Sequence, residues 1–338
     1  MSNWAGKHGP LLIAEIGGNH EGNFEYAKEL TQLAIDSNVD YIKFQIYTGD
    51  SLVNPIEGPV RNKHFKKFEL SPEQHQDLAK MCHDAGIGYM ASVWDMTSFP
   101  WIDDYMNIYK IGSGDLTAYP LLRAIAKLGK PMIISSGVAY LKEVEEAIEF
   151  IRSENKIYQD RDNLAVLQCT SMYPIPFSDA NLNVMHSFQK EFDVAIGYSD
   201  HTEGSYALEI ATAMGAEVLE FHFTDSREGK EFRDHKVSLT RDEVIALSDR
   251  LKNIRSLQGN SLKSPLEVEG DHRTTFRRAL YPKSDIAKNT IITEDHLIAL
   301  RPNHGIDAKD YIKLLGKRTN RALTKHQRLE WNFFDGNN

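Results

Sequence analysis

The sequence lacks the features that mark several large classes of protein. Only two cysteines, Cys82 and Cys169, occur among its 338 residues. Two are too few for a disulfide framework or a cysteine-based zinc site, so both are expected to be free thiols. No apolar run approaches the roughly 20 residues of a membrane helix, and residues 1–8 show no apolar core of a signal peptide. The expectation is a cytoplasmic protein without a membrane partner.

Positive charge is also scarce. The chain has 39 Lys and Arg residues against 48 Asp and Glu residues, a formal net charge of −9. This balance argues against a nucleic-acid partner, because contact with a phosphate backbone requires a basic surface. It leaves room for a small anionic substrate, which needs only a few cations placed locally.

Short β-rich runs alternate with amphipathic helical stretches through the first three quarters of the chain. The predicted strands are residues 11–16, 41–46, 88–93, 108–111, 131–135, 164–169, 194–198 and 217–223. Eight strand and helix units over roughly 260 residues are what a (β/α)8 barrel requires. A doubly wound open sheet is the alternative, but residues 15–22 after the first strand do not have the glycine spacing of a dinucleotide-binding loop.

The pattern changes after about residue 258. Residues 258–273 are polar and loop-like, and short β-like runs follow at residues 278–281, 290–292 and 297–300. We therefore predict an α/β barrel domain over residues 1–262, a linker over 263–277, and a small β-rich domain over 278–338.

Two histidines end two consecutive predicted strands. His201 and His222 each follow a short apolar run, and one helical segment separates the two runs. The carboxyl ends of neighbouring parallel strands meet at one rim, so the two imidazoles are expected to face a shared site. A lone histidine is usually structural, but this paired placement predicts a divalent metal and therefore an enzyme.

Lysines, hydroxyls and acids also collect at the predicted strand ends. The two lysines are Lys43 and Lys110, and a lysine inside a β run is otherwise usually found at an edge. Together with several serines they predict a pocket for a small phosphorylated or carboxylated anion. Serines after strands also cap helices, so the hydroxyls alone are weak evidence. The predicted rim consists of Glu15, Asn19, Lys43, Gln45, Ser92, Lys110, Ser113, Ser135, Ser136, Thr170, Ser171, Tyr173, Ser199, Asp200, His201, Glu220 and His222.

Eight collinear motifs then carry a resemblance to a known family. They lie at residues 13–22, 42–45, 109–115, 134–137, 167–174, 197–202, 220–223 and 234–238. In this order they resemble the N-acylneuraminate (sialic acid) synthases, which include the legionaminic and pseudaminic acid synthases. Residues 300–302 and 315–318 resemble the antifreeze-like (SAF) domain of the same family, so the resemblance covers nearly the whole chain.

The resemblance implies a (β/α)8 barrel followed by a SAF domain. It also implies a domain-swapped homodimer in which the SAF domain of one subunit reaches over the active site of the other. The implied reaction joins phosphoenolpyruvate to an N-acylated hexosamine, with N-acetylmannosamine as the expected sugar, and yields phosphate and a nine-carbon 2-keto acid of the N-acetylneuraminate type. The implied cofactor is a divalent metal, with Mn²⁺ expected and Mg²⁺ or Co²⁺ as alternatives.

The same resemblance assigns residue roles. It makes His201 and His222 the metal ligands and Glu15 the acid–base group beside the attacked aldehyde. Catalysis is expected to involve Lys43, Lys110 and Asp234 as well. Phosphoenolpyruvate is expected to contact the two lysines and a set of hydroxyls, namely Ser92, Ser113, Ser135, Ser171 and Ser199. The sugar side is expected to include Gln45, Tyr173, Asp234 and, reaching over from another subunit, Arg301.

Some positions depart from the family pattern. Ser171 stands where asparagine is frequent, Asp115 where some members have glutamate, and Phe232 with Arg233 where Gly-Pro or Gly-Ser is commoner. The last departure bears on the sugar pocket. The Gly-Ser-Gly run at residues 112–114 favours the sialic or legionaminic branch over the pseudaminic one.

Three other functions stay open. A legionaminic or pseudaminic acid synthase would act on a 2,4-diacetamido-6-deoxy hexose. A barrel enzyme making a shorter 3-deoxy-2-keto sugar acid would generally lack the C-terminal domain. A non-catalytic sugar-binding or antifreeze-like protein would need neither a metal site nor a general base.

Overall fold

Eight parallel strands close into a barrel. The structure is a computed structural model that describes residues 2–336, so Met1, Asn337 and Asn338, which fall within the predicted domain bounds, lie outside the described residues. Strands β2 to β9 pair in sequence order, and β9 pairs with β2 to complete the ring. The predicted (β/α)8 barrel is confirmed. The strands are β1 Ala5–Gly6, β2 Gly9–Glu15, β3 Tyr41–Ile46, β4 Gly88–Val93, β5 Tyr109–Ile111, β6 Met132–Ser135, β7 Leu164–Cys169, β8 Ala195–Asp200, β9 Val218–His222, β10 Ala279–Pro282 and β11 Leu297–Leu300.

Helices follow most of the barrel strands and begin and end at recognisable signals. α4 starts with a capping box between Ser71 and Gln74, and α6 ends at Gly129, whose φ of 72° suits glycine. The helices are α1 Phe24–Asp36, α2 Gly49–Leu52, α3 Pro59–Phe68, α4 Pro72–Asp84, α5 Phe99–Ile102, α6 Tyr119–Leu128, α7 Leu141–Glu154, α8 Val184–Glu191, α9 Tyr206–Ala213, α10 Asp234–Val237, α11 Arg241–Gln258, α12 His272–Thr275 and α13 Tyr311–Leu314. Within residues 2–336, no helix has both the length and the apolar character needed to cross a bilayer.

The barrel strands are apolar on both faces, except at one end. Outward side chains such as Ile42, Phe44 and Ile46 pack against the helices in the larger core. Inward side chains such as Ile13 and Leu167 form a second core inside the barrel. Alternate residues along each strand face inward. At the carboxyl ends of the strands, these inward residues are polar.

The strand register places these inward polar residues beside one another. Glu15 of β2 is level with Lys43 of β3 on one side and with His222 of β9 on the other. Ser92 of β4 is likewise level with Lys110 of β5. The ring of strands therefore sets the geometry of a polar site at the carboxyl rim, as barrels of this class do.

Helices α3 and α8 are among those that the sequence pattern does not predict. α3 is polar and strongly basic and buries only Asn62 and Phe68, so it has little apolar periodicity to detect. α8 lies in a stretch that the sequence analysis left without an element. Strand β8 also runs to Asp200, two residues beyond the prediction, so Ser199 lies inside the strand.

Contacts within the chain divide it after Gly259. In the second unit, β10 and β11 pair antiparallel, and a separate apolar core includes Leu280, Leu314 and Phe333. The predicted β-like run at residues 290–292 forms only a single bridge, between Ile291 and Arg318. Residues 260–271 are exposed and carry one short 3-10 turn, Glu267–Glu269.

Candidate active site

A carboxylate and a lysine form the first part of the site. The Lys43 ammonium lies 2.7 Å from Glu15 Oε2, and the Gln45 amide donates to Glu15 Oε1 at 2.8 Å. Lys43 also reaches the Ser92 hydroxyl at 3.5 Å. Burial raises the pKa of Glu15, and the Lys43 charge only partly opposes that rise. Glu15 is therefore a buried carboxyl group that is easier to protonate than an exposed glutamate, as an acid–base role requires.

A second buried lysine, Lys110, lies on β5, two strands further round the barrel. The Lys110 ammonium donates to the Ser135 hydroxyl at 2.7 Å and to the Ile111 carbonyl at 3.1 Å, and lies 3.6 Å from Glu220 Oε2. Ser199 donates to the other oxygen of Glu220 at 3.2 Å. Burial lowers the pKa of Lys110. Buried ion pairs are rarely more stable than apolar packing, which favours a role for these charges in binding.

Two serine hydroxyls converge on a glycine beyond β6. The Gly137 backbone N–H donates to the Ser113 hydroxyl at 3.0 Å. A Cβ at Gly137 would collide with the hydroxyls of both Ser171 and Ser113. The absence of a side chain at Gly137 therefore lets the Ser113 and Ser171 hydroxyls approach the backbone, two residues after Ser135. Hydroxyls, a backbone N–H and a lysine together suit a phosphate or carboxylate group.

The two strand-end histidines meet as expected. The ring centroids of His201 and His222 are 5.3 Å apart, and Tyr173 packs against both rings, at 4.0 and 5.4 Å. His201 Nδ1 lies 2.7 Å from the Thr170 carbonyl, so this nitrogen carries a hydrogen. Burial opposes protonation of the ring, but the neighbouring Cys169 raises the pKa of His201 to about 9, so a metal bound at Nε2 would take the place of a proton there. His222 Nδ1 is buried without a hydrogen-bond partner, 3.9 Å from Asp234 Oδ2.

These residues fit a metal with open coordination positions. Burial holds the pKa of His222 well below its usual value, which keeps the ring neutral as a metal ligand must be. No cluster of three or more His, Cys, Asp or Glu side chains suited to a metal occurs within residues 2–336. A metal held by His201 and His222 would therefore complete its shell with substrate and water, as catalytic metals do.

Asp234 lies on α10 at the same end of the barrel and is buried. Arg233 donates to its Oδ1 at 3.2 Å, and the Arg233 guanidinium also lies 4.6 Å from the centre of the Tyr173 ring. Asp234 is thus held between Arg233 and His222. The remaining predicted site residue, Arg301, lies in the second unit, where its guanidinium covers Phe276 at 5.5 Å.

Sequence analysis gave no role to two residues that belong to the site. Glu220 stood on the predicted rim but was not assigned, although it pairs with Lys110. Cys169, expected only as a free thiol, lies with its sulfur 3.8 Å from His201 Nδ1. The signal was available for both, because Glu220 lies two residues before His222 and Cys169 lies two residues after Leu167 of the inner core.

Known proteins resemble the chain along most of its length. The N,N'-diacetyllegionaminic acid synthase of Campylobacter jejuni subsp. jejuni serotype O:2 is 34% identical over 320 residues, covering 91% of this chain and 95% of that protein. A pseudaminic acid synthase of C. jejuni subsp. jejuni serotype O:23/36 is 33% identical, and the match covers 93% of this chain and 93% of that protein. The crystal structure of N-acetylneuraminic acid (sialic acid) synthetase from Leptospira borgpetersenii serovar Hardjo-bovis, in complex with citrate, superimposes with a TM-score of 0.72 at 28% identity, covering 78% of this chain and 89% of that one.

Family profiles give the same result. The NeuB family profile matches residues 30–263, and the SAF domain profile matches residues 277–335. The resemblance found in the motifs is thereby confirmed. The chain belongs to the NeuB family, is an enzyme of the synthase type, and carries a SAF domain after its barrel.

Proposed function

We propose that the enzyme condenses phosphoenolpyruvate with an N-acylated hexosamine to give a nine-carbon 2-keto sugar acid and phosphate. The observation that carries this proposal is the pair of buried lysines, Lys43 and Lys110, beside a carboxyl group of raised pKa and two histidines. A trianionic substrate needs such buried cations to offset its desolvation. The direct test is phosphate release that requires both phosphoenolpyruvate and the sugar.

The anion would lie on the side of the mouth where Lys110, Ser135 and the serine hydroxyls beside Gly137 meet. Lys110 already donates to the Ser135 hydroxyl, and Gly137 N–H already donates to the Ser113 hydroxyl. These groups would therefore need no movement of the backbone to bind the anion. Preorganised donors of this kind hold charge at little reorganisation cost. Ser92 and Ser199, which contact the two lysine–carboxylate pairs, would bind the remaining oxygens.

Glu15 would move the protons of the reaction. C3 of phosphoenolpyruvate forms a bond to the aldehyde carbon, the aldehyde oxygen gains a proton from Glu15, and C2 is left as an oxocarbenium centre. Water adds to C2 and loses a proton to Glu15. The C2–O bond to phosphate then breaks as the new C2 hydroxyl gives its proton to the departing phosphate and becomes the keto group. Burial next to Gln45 and Lys43 gives Glu15 both the raised pKa and the fixed position that this role needs.

His201 and His222 would hold the divalent metal, for which Mn²⁺ is proposed and Mg²⁺ or Co²⁺ are alternatives. Such an ion would supply Lewis-acid polarisation of the aldehyde oxygen. Tyr173 orients both imidazoles by packing against them, and Asp234 with Gln45 would hydrogen-bond sugar hydroxyls or metal-bound water.

The sugar remains a proposal in two forms. N-acetylmannosamine would give an N-acetylneuraminate-type product, and a 2,4-diacetamido-6-deoxy hexose would give a legionaminic or pseudaminic acid. The non-catalytic alternative is not favoured, since a binding protein has no use for buried Glu15 and Lys43 paired at 2.7 Å. The free cysteines Cys82 and Cys169 suit a reducing compartment, so a cytoplasmic location is proposed.

We also propose a homodimer in which Arg301 of one subunit completes the site of the other. The predicted stretch of residues 258–273 could span about 50 Å when extended, enough to carry the SAF domain away from its own barrel. A lid of this kind would keep water from the reactive centre until the acceptor is bound.

Subunit mixing tests this proposal. Arg301→Ala and His201→Ala should each have little activity alone. In a swapped mixed dimer one site carries both lesions and the other carries neither, so half of the sites in mixed dimers should regain activity. If verified subunit exchange restores no activity, the SAF domain serves its own barrel.

A further inference from the structure

Three aromatic side chains form a wall at one side of the barrel mouth. The Phe232 and Phe68 rings lie 5.1 Å apart, and His64 lies 4.5 Å from Phe68 and 6.2 Å from Phe232, centre to centre. Phe68 is buried and Phe232 is half-buried. His64, Phe68 and Phe232 are called the acceptor wall below. Helix α3 and the segment after β9 supply them, and neither is used by the reaction proposed above.

The acceptor wall stands next to the proposed acid–base group. Phe232 ring carbons lie 3.1 Å from the position that a Cβ would take at Gly18. A Cβ at the preceding Gly17 would come within 2.8 Å of Glu15 Oε1. Phe232 also precedes Asp234 by two residues, and Asp234 faces His222. The wall therefore borders the acid–base and metal-ligand side of the site.

The part of the anion pocket formed by Lys110 and Ser135 lies on the opposite side of the barrel. Lys110 and Ser135 belong to β5 and β6, and β6 lies between β5 and β7. Glu15 belongs to β2, which lies between β9 and β3. In a closed ring of eight strands, β2 and β6 are diametrically opposed. With phosphoenolpyruvate on the β6 side, the rest of the acceptor extends over the β2 side, toward the wall.

We propose that the acceptor wall selects the sugar, and that Phe232 is its specificity-determining residue, favouring an acceptor whose distal carbons are deoxygenated over a hydroxylated one. This inference rests on the condensation proposed above. The physical reason is desolvation. A hydroxyl placed against aromatic rings loses water without gaining a partner, whereas a methyl group gains apolar contact there.

The size of the preference follows from the chemistry of apolar pockets. Such a pocket discriminates by about 10- to 100-fold between two ligands that differ by one hydroxyl or one methylene. N-acetylmannosamine and its 6-deoxy analogue form such a pair, because they differ only by the oxygen at C6. We expect kcat/KM for the 6-deoxy sugar to exceed that for N-acetylmannosamine by about this factor.

The test measures kcat/KM for both sugars, with the full-length enzyme and phosphoenolpyruvate, in three variants. Phe232→Ala should bring the ratio to within about threefold of unity and leave KM for phosphoenolpyruvate unchanged. Phe232→Leu should retain most of the preference, because leucine keeps the apolar contact. The matched control is Phe177→Ala, since Phe177 is a 59% exposed phenylalanine that follows β7 on the anion side. It should leave the ratio intact.

Several results would overturn the inference. A wild-type preference for N-acetylmannosamine, an unchanged ratio in Phe232→Ala, or equal effects on both substrates' KM values would each do so. If the enzyme released no phosphate with either sugar, that result would count against the proposed condensation and not against the acceptor wall. The acceptor wall would then be tested by calorimetric titration with the two sugars. The same preference is expected in their binding affinities, and Phe232→Ala should remove it.

Discussion

Replacing His222 by alanine should abolish turnover and weaken Mn²⁺ binding by more than about 100-fold, since loss even of a group supporting a metal ligand costs about 10- to 100-fold. His222 and His201 are the two imidazoles that meet at 5.3 Å beside Asp234. Because the proposed site has only these two imidazoles, loss of either should leave it too poor to hold the ion. His201→Ala should behave in the same way.

Metal binding is measured directly, by calorimetric titration of metal-free enzyme with Mn²⁺, so the result does not depend on activity. The control is His83→Ala, because His83 is exposed on α4, where its ring hydrogen-bonds to the Tyr105 carbonyl and stacks on the Tyr105 ring. It should bind Mn²⁺ as the wild type does. Full activity of His222→Ala in chelator-treated buffer would contradict the assignment of the metal ligands.

Replacing Glu15 by glutamine should lower kcat by about 100- to 10,000-fold, the range typical of a lost general acid–base group. The amide keeps the shape of the side chain and its contact with Gln45 but carries no exchangeable acid proton. KM for phosphoenolpyruvate should not rise, because Lys43 loses a negative neighbour at 2.7 Å and keeps its positive charge for the anion.

Steady-state kinetics with saturating sugar separate these two effects. Glu217→Gln is the matched control, because Glu217 is a carboxylate at the amino end of β9, paired with Arg161 at 2.6 Å. It should leave kcat within about twofold of the wild type, since surface ion pairs contribute little. A kcat near the wild-type value in Glu15→Gln, or a large rise in KM alone, would assign Glu15 to binding.

Much of this architecture can be predicted from local pattern. In the run of β3, the outward residues Ile42, Phe44 and Ile46 alternate with inward Lys43 and Gln45, and only a strand with a polar inner end explains that order. Eight short strands that alternate with amphipathic helical stretches predict the barrel. His201 and His222 are then expected to lie together, because the carboxyl ends of parallel strands meet at one rim of the barrel.

Other features depend on contacts that no local pattern encodes. The pairing of Lys110 with Glu220 arises from strands that are far apart in the sequence and meet across the barrel interior. Helix α3 has almost no apolar face, so its aromatic residues show their role only when Phe68 is found against Phe232. Glu220 is on the predicted rim, but the alternation that places it there does not reveal that its partner is Lys110.

The most direct test of the account is acceptor-dependent phosphate release carried out in water enriched with heavy oxygen. The enzyme is given phosphoenolpyruvate, Mn²⁺ and an N-acylated hexosamine, and the masses of both products are measured by mass spectrometry. Because water is proposed to add at C2 while the C2–O bond breaks, the phosphate should contain no heavy oxygen and should appear in equal amount to the nine-carbon keto acid. Heavy oxygen in the phosphate, or phosphate released without the sugar, would contradict the account.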